Sequence, residues 1–191
     1  MTDERKPQMA AWHGLLEELV RDRRPALIGY ASLLTGNRSD AEDLVHEAIV
    51  RTFARTRSFE NVNAADAYVR RAITSTFIDR ARSRRSWLAA APKLVVHDDS
   101  RPEEDVASRV DVRAALVTLP PRQRSCVVLR FYDDLTVPEI ANALGLSDGA
   151  VKRHLSDGIK HLNGALGTHV DAEAVADPRS EIHVTEGRGH R

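Results

Sequence analysis

The sequence predicts an all-α protein of two small helical domains joined by an acidic linker, the second domain containing a helix-turn-helix. Three observations predict it. Apolar residues recur at three and four nearly throughout, and no segment alternates as a strand would. A stretch without sustained period, AAAPKLVVHDDSRPEEDVASR, carries two prolines and an acidic cluster between the periodic regions. Near the C-terminal end, LTVPEIANALGLSDGAVKRHL places two short amphipathic helices around a glycine turn, the second with Lys152, Arg153 and His154 beside an apolar row.

With 191 residues and 42% hydrophobic content, the chain can give two small domains a core each. No apolar run approaches the roughly 20 residues that span a bilayer, and MTDERKPQMA is too polar for a signal peptide. A cytoplasmic protein without membrane insertion is expected. The single cysteine, Cys126, excludes an internal disulfide and is expected to be a small buried residue. The eight histidines fall at no ligand-like spacing, so neither metal nor cofactor is expected.

Basic and acidic side chains balance at 28 each, but they are segregated. Residues 68–87 hold six arginines against Asp79, whereas residues 88–109 hold five acids against Lys93, Arg101 and Arg109. Segregated charge implies a basic surface with an anionic partner. Only four of the basic residues are lysines, so position carries more weight than number.

The first domain is expected over residues 10–87. A helical hairpin runs from Trp12 to Leu34, interrupted at Pro25 and ended by Gly36 and Asn37. Ser39 opens the next helix with Glu42 at capping-box spacing, and Ala41, Leu44, Val45, Ala48, Ile49, Thr52 and Phe53 form its inner row. The opposite face carries Asp43, His46, Glu47, Val50 and Arg51; read from pattern, it is a solvated face or a docking surface. Asn63 then caps a long helix with Tyr68, Val69, Ala72, Ile73, Thr76 and Phe77 on its apolar row, which makes Tyr68 and Phe77 core residues.

A linker is expected over 88–109 and a second domain over 110–165. Its first helix stops at Pro120 and Pro121, and the next spans about Arg122 to Tyr132. Thr136 and Glu139 make another capping-box pair, Gly145 permits the turn, and Ser147 caps the last helix. There Val151, Leu155, Ile159 and Leu162 face inward and leave Lys152, Arg153 and Ser156 outward. The tail, 166–191, is polar without a clear period, and weak order is expected.

Three segments, LLTGNRSDAEDLVHEAIVRTF, AYVRRAITSTFIDRARSRRSW and LPPRQRSCVVLRFYDDLTVPEIANALGLSDGAVKRHL, resemble in this order the extracytoplasmic-function sigma factors of bacterial RNA polymerase, particularly the actinobacterial SigE-like group. The resemblance covers about residues 10–165. It implies that the first domain is sigma two, which binds the clamp helices of core polymerase and opens the minus-ten element. It implies that the second is sigma four, which reads the minus-thirty-five element. By this resemblance Asp43, His46, Glu47 and Arg51, with Val50 among them, face the polymerase. Strand opening needs cations for phosphates and polar edges for an unstacked base. The candidates are Asn61, Asn63, Arg70, Arg71, Thr74, Ser75, Arg80, Arg82 and Arg84. At the minus-thirty-five element they are Arg122, Arg124, Asp148, Lys152, Arg153, His154 and Ser156, with Lys160 a lesser one. Two departures stand out: TSTFID replaces an asparagine-containing run, and Ser156, Asp157 and Gly158 follow VKRHL where many relatives continue with basic residues.

The expected partners are core RNA polymerase, promoter DNA and an anti-sigma factor, with no small-molecule substrate. Two other readings compete. One is a free-standing helix-turn-helix regulator acting as a dimer, against which the linker and the polymerase-like face argue. The other is a helical enzyme, for which no nucleophile and base pair, metal cluster or glycine-rich phosphate loop is recognisable.

Overall fold

The computed structural model describes residues 13–54, 59–90, 107–172, 175 and 184–185. By compactness the chain divides into Met1–Phe77 and Ile78–Arg191, a division that falls inside the longest helix. The acidic linker lies largely outside the described residues.

In the first unit, residues 13–18 are helical and Leu19–Arg23 continue as a π-wound turn into α1, Arg24–Thr35. The interruption expected at Pro25 takes this form. Proline sits in the first turn of α1, where its missing N–H costs nothing. Gly36, at φ 87°, ends α1 and donates its amide to the Ser32 carbonyl at 2.9 Å. Helix α2, Arg38–Phe53, is capped by Asn37 and not by the expected Ser39: Asn37 Oδ1 accepts the Asp40 amide at 2.8 Å, and Ser39 already lies within the first turn. The predicted inner row of α2 is the buried one, and α2 packs on α1, where Leu27, Ala31 and Leu34 are buried.

Helix α3, Val62–Ala90, is likewise capped two residues earlier than expected. Asn61, not Asn63, accepts the Ala64 amide at 2.9 Å. Ala65, Val69 and Ile73 of α3 are buried. The Phe59 ring lies between Phe53 and Tyr68, with centroids 5.7 and 5.5 Å away, so Tyr68 contributes to the core as expected.

The second unit holds α4, Ala107–Thr118; α5, Pro121–Phe131; α6, Val137–Leu144; and α7, Asp148–Leu166. The amide and the hydroxyl of Thr136 both donate to Glu139 Oε2, at 2.8 and 2.7 Å, which fixes the start of α6. Gly145, at φ 61°, makes the turn, and Ser147 Oγ accepts the Ala150 amide at 3.3 Å to open α7. Val151, Leu155 and Ile159 are buried against α5 and α6. Gly158 explains the break in the basic run. A Cβ there would meet Val127 Cγ2 at 3.0 Å, so α7 approaches α5 where only glycine fits without displacing its neighbour. Cys126 is buried, and burial pushes its thiol up to about 12.

Part of the segment for which weak order is expected is described. Gly167, at φ 64°, ends α7, and β1, His169–Val170, pairs antiparallel with β2, Val184–Thr185. Ala172 and Val175 are buried. Segments this short show no alternation, which is why the sequence reading passed over them. The rest of the tail lies outside the described residues.

Candidate nucleic-acid and protein interface

The outward face of α2 follows from its inner row. With Ala41 to Phe53 turned inward at three and four, Asp43, His46, Val50 and Arg51 are exposed and Glu47 is half-buried. Val50 is 51% exposed in the middle of these polar side chains. Arg51 lies 3.7 Å from Glu47 Oε1 and donates from Nη1 to Thr76 Oγ1 at 3.0 Å, which ties this face to α3.

Of the minus-ten candidates, Asn61, Asn63, Arg71, Arg80, Arg82 and Arg84 are exposed, and Ser75 is half-buried. Asn61 is occupied as a cap, and Asn63 Oδ1 accepts from Arg23 Nη2 at 2.8 Å. Arg82 lies 3.8 Å from Asp79. Arg70 is turned to the protein itself, paired with Asp66 at 2.8 Å and stacked 5.6 Å over the Tyr30 ring. Thr74 differs from the other candidates in being fully buried and hydrogen-bonded to Tyr30, which places it in the core of the first unit.

In the second unit Arg122, Asp148, Lys152 and Arg153 are exposed, and His154 and Ser156 are half-buried. Burial pushes the His154 imidazole below its ordinary value; Arg122 and Arg153 push it the same way, and Asp157 opposes them. The fold thereby brings the start of α5 and the exposed side of α7 together as one basic face. Arg124, by contrast, is turned inward. It is 8% exposed, and its guanidinium donates to the carbonyls of Val117 and Leu119, the latter at 3.0 Å. Burial lowers its pKa to about 10, so it remains a cation at neutral pH, spent on the end of α4. Its position relative to Val127 and Val128, three and four residues on, was the available signal.

Among the described residues no helix is long and apolar enough to cross a membrane, and no group of histidine, cysteine and acidic residues could hold a metal ion.

A short capped helix, a left-handed glycine turn and a basic helix packed on its predecessors define a helix-turn-helix protein. The family models Sigma-70 region 2 and Sigma-70, region 4 match residues 19–86 and 109–162. The chain is 35% identical to the RNA polymerase sigma-E factor of Streptomyces coelicolor, over 83% of this chain and 90% of that one. It is 32% identical to the ECF RNA polymerase sigma factor SigE of Mycolicibacterium smegmatis, over 84% of this chain and 63% of the relative. Among solved structures it is similar to the sigma factor RpoE of Bartonella quintana in complex with the anti-sigma factor NepR, with a TM-score of 0.61 and 23% identity over 79% of this chain and 95% of that one. That likeness shows the fold. The chain belongs to the sigma-70 family of RNA polymerase sigma factors, in its extracytoplasmic-function, SigE-like group. This membership favours a sigma factor over a free-standing dimeric regulator.

Proposed function

We propose that the chain is a dissociable promoter-specificity subunit that docks on core RNA polymerase through the outward face of α2 and reads promoter DNA with α3 and α7. The observation that carries the docking role is Val50, an apolar side chain left in solvent amid charged neighbours on a helix whose own core row is complete. An apolar centre within a polar rim is the anatomy of a reversible protein interface. Arg71, Arg80, Arg82 and Arg84 would neutralise phosphates of the opened minus-ten strand, with Asn61, Asn63 and Ser75 near base edges. Lys152, Arg153 and Asp148 at the start of α7 would meet the minus-thirty-five bases, with Arg122, His154 and Ser156 toward the backbone. The polymerase performs the chemistry, and the protein itself is not an enzyme. It works in the cytoplasm, and the family resemblance supports control by an anti-sigma factor.

The test of docking is Val50→Asp, measured as affinity for purified core polymerase. Val50 lies off the buried row of α2 and is 51% exposed, so the substitution should change the melting temperature little and weaken the complex at least tenfold. Unchanged affinity removes α2 as the docking face. Arg51 is a poorer probe, because its bond to the buried Thr76 mixes folding with binding.

A further inference from the structure

The π-wound turn Leu19–Arg23 sets the direction of one guanidinium. Pro25 lacks the N–H that would bind the Arg21 carbonyl in a continuous α-helix, and the chain widens to a π turn just before it. In an unbroken α-helix Arg23, four residues after the buried Leu19, would stand on the core face. The wider turn moves it to the edge of that face, where it is half-buried. From there Arg23 Nη2 donates to Asn63 Oδ1 at 2.8 Å, joining positions 40 residues apart. The neighbouring Asp22 is taken by Arg21, at 2.8 and 2.9 Å, so the Arg23 fork is directed to α3.

An asparagine amide is an ambiguous reader of bases. Its oxygen accepts, its nitrogen donates, and a half-turn of the terminal bond exchanges them. Left free, it recognises adenine by doing both at once, accepting from N6 and donating to N7. Arg23 removes the ambiguity, because a guanidinium only donates and therefore faces the oxygen. Nδ2, with its two N–H groups, is left on the side away from Arg23. Asn63 is exposed in the first turn of α3, two residues after Asn61, whose own Oδ1 is spent on the Ala64 amide at 2.9 Å. Both asparagine oxygens at this helix start are engaged inside the protein, and N–H is what the pair has left to offer.

We propose that Arg23 is a positioning residue that fixes Asn63 as a hydrogen-bond donor, and that Asn63 so fixed selects a keto base, thymine or guanine, at one position of the unstacked minus-ten strand. The inference rests on the proposed role of α3 at that strand. O4 of thymine and O6 of guanine accept where the amino groups of adenine and cytosine donate. A locked donor therefore meets its complement on the keto bases and like polarity on the amino bases. One hydrogen bond of this kind corresponds to a preference of about fivefold or more.

Selection from a pool of promoter duplexes randomised through the minus-ten element tests this, with holoenzyme formed by the native chain or by each variant. Native holoenzyme should enrich thymine or guanine at one position of the strand. Arg23→Ala should lower that preference about fivefold or admit adenine there. Asn63→Ala should erase it, with no further change when Arg23→Ala is added. Asn63→Asp separates positioning from mere stitching of the two helices. The carboxylate strengthens the bond to Arg23 yet offers no donor, so the preference should be lost while the melting temperature is kept or raised. If Arg23→Ala or Asn63→Asp retains the native preference, the inference is overturned, and a uniform loss of recovery in Arg23→Ala makes that residue a phosphate contact. If Arg23→Ala lowers the melting temperature so far that no holoenzyme forms, Asn63→Asp decides. Enrichment by the native holoenzyme without a keto position overturns this inference alone. Enrichment of no minus-ten sequence overturns the role of α3 itself.

Discussion

The hydroxyls of Tyr30 and Thr74 meet at 2.7 Å in the interior of the first unit and join α1 to the long helix α3. Thr74 Oγ1 also donates to the Arg70 carbonyl at 3.1 Å, which leaves Tyr30 as the donor of the shared bond. Arg70 stacks on the Tyr30 ring and pairs with Asp66, so one polar cluster locks the half of α3 that leads into the exposed arginines.

This arrangement orders two substitutions. Tyr30→Phe removes one bond and should cost about 0.5–1.5 kcal/mol. Thr74→Val removes both bonds of the threonine and should cost about 1–3 kcal/mol. Each is read as a loss of melting temperature. Promoter opening, compared at equal folded fraction, should be the same for Thr74→Val and the native chain. A selective opening defect would return Thr74 to the DNA-contacting set.

Amphipathic rows carried most of the fold in the sequence. The buried residues of α2 are the row that spacing predicts, and Thr136, Gly145 and Ser147 mark the helix-turn-helix by local chemistry. What escaped depends on tertiary neighbours. Asn37 and Ser39 are both good caps, and only the extended backbone at Asn37 decides between them. Thr74 and Arg124 are polar by type, and a type cannot tell that Tyr30 or the carbonyls ending α4 stand opposite. Asn163 reads as helix surface until the chain turns at Gly167 and brings Val170 back to it.

If His154 meets promoter phosphates as proposed, its environment should give promoter binding a pH dependence. Its pKa in the folded protein lies below the ordinary 6.5, first through burial and then through Arg122 and Arg153. Below about 6.5 the unfolded chain therefore binds a proton that the folded chain resists, so folding stability falls as pH drops from there. DNA phosphates act in the opposite sense and favour the imidazolium. Binding to a minus-thirty-five duplex should take up a proton, and affinity should rise as pH falls from about 7.5 to about 6 at fixed salt, well below the melting temperature. His154→Gln should flatten that dependence. A native profile as flat as that of the variant places His154 away from the phosphates.

Three arginines of the second unit should fail in three different ways. Arg153 stands exposed near the start of α7, where a recognition helix meets base edges. Arg153→Ala should cost about 1 to 3 kcal/mol at the preferred minus-thirty-five sequence and narrow the gap to mutated sites. Arg122 stands exposed in the first turn of α5, where a preceding helix meets backbone. Arg122→Ala should weaken all sequences nearly alike and lower the salt slope by about one. Arg124 is buried and bonded to the carbonyls of Val117 and Leu119. Arg124→Ala should lower the melting temperature and leave the sequence preference and salt slope of the folded fraction unchanged, because the lost contacts are internal. Arg124→Lys should not restore stability, since an ammonium lacks the fork that spans two carbonyls. Holoenzyme binding to a short promoter set at several salt concentrations, with thermal melts of the free variants, separates the three. If Arg153→Ala weakens every sequence equally, that residue is a backbone anchor and base reading falls to Lys152 and Asp148. If Arg124→Ala lowers the salt slope with no change in melting temperature, the buried guanidinium reaches phosphate after all, and α5 must turn outward on DNA.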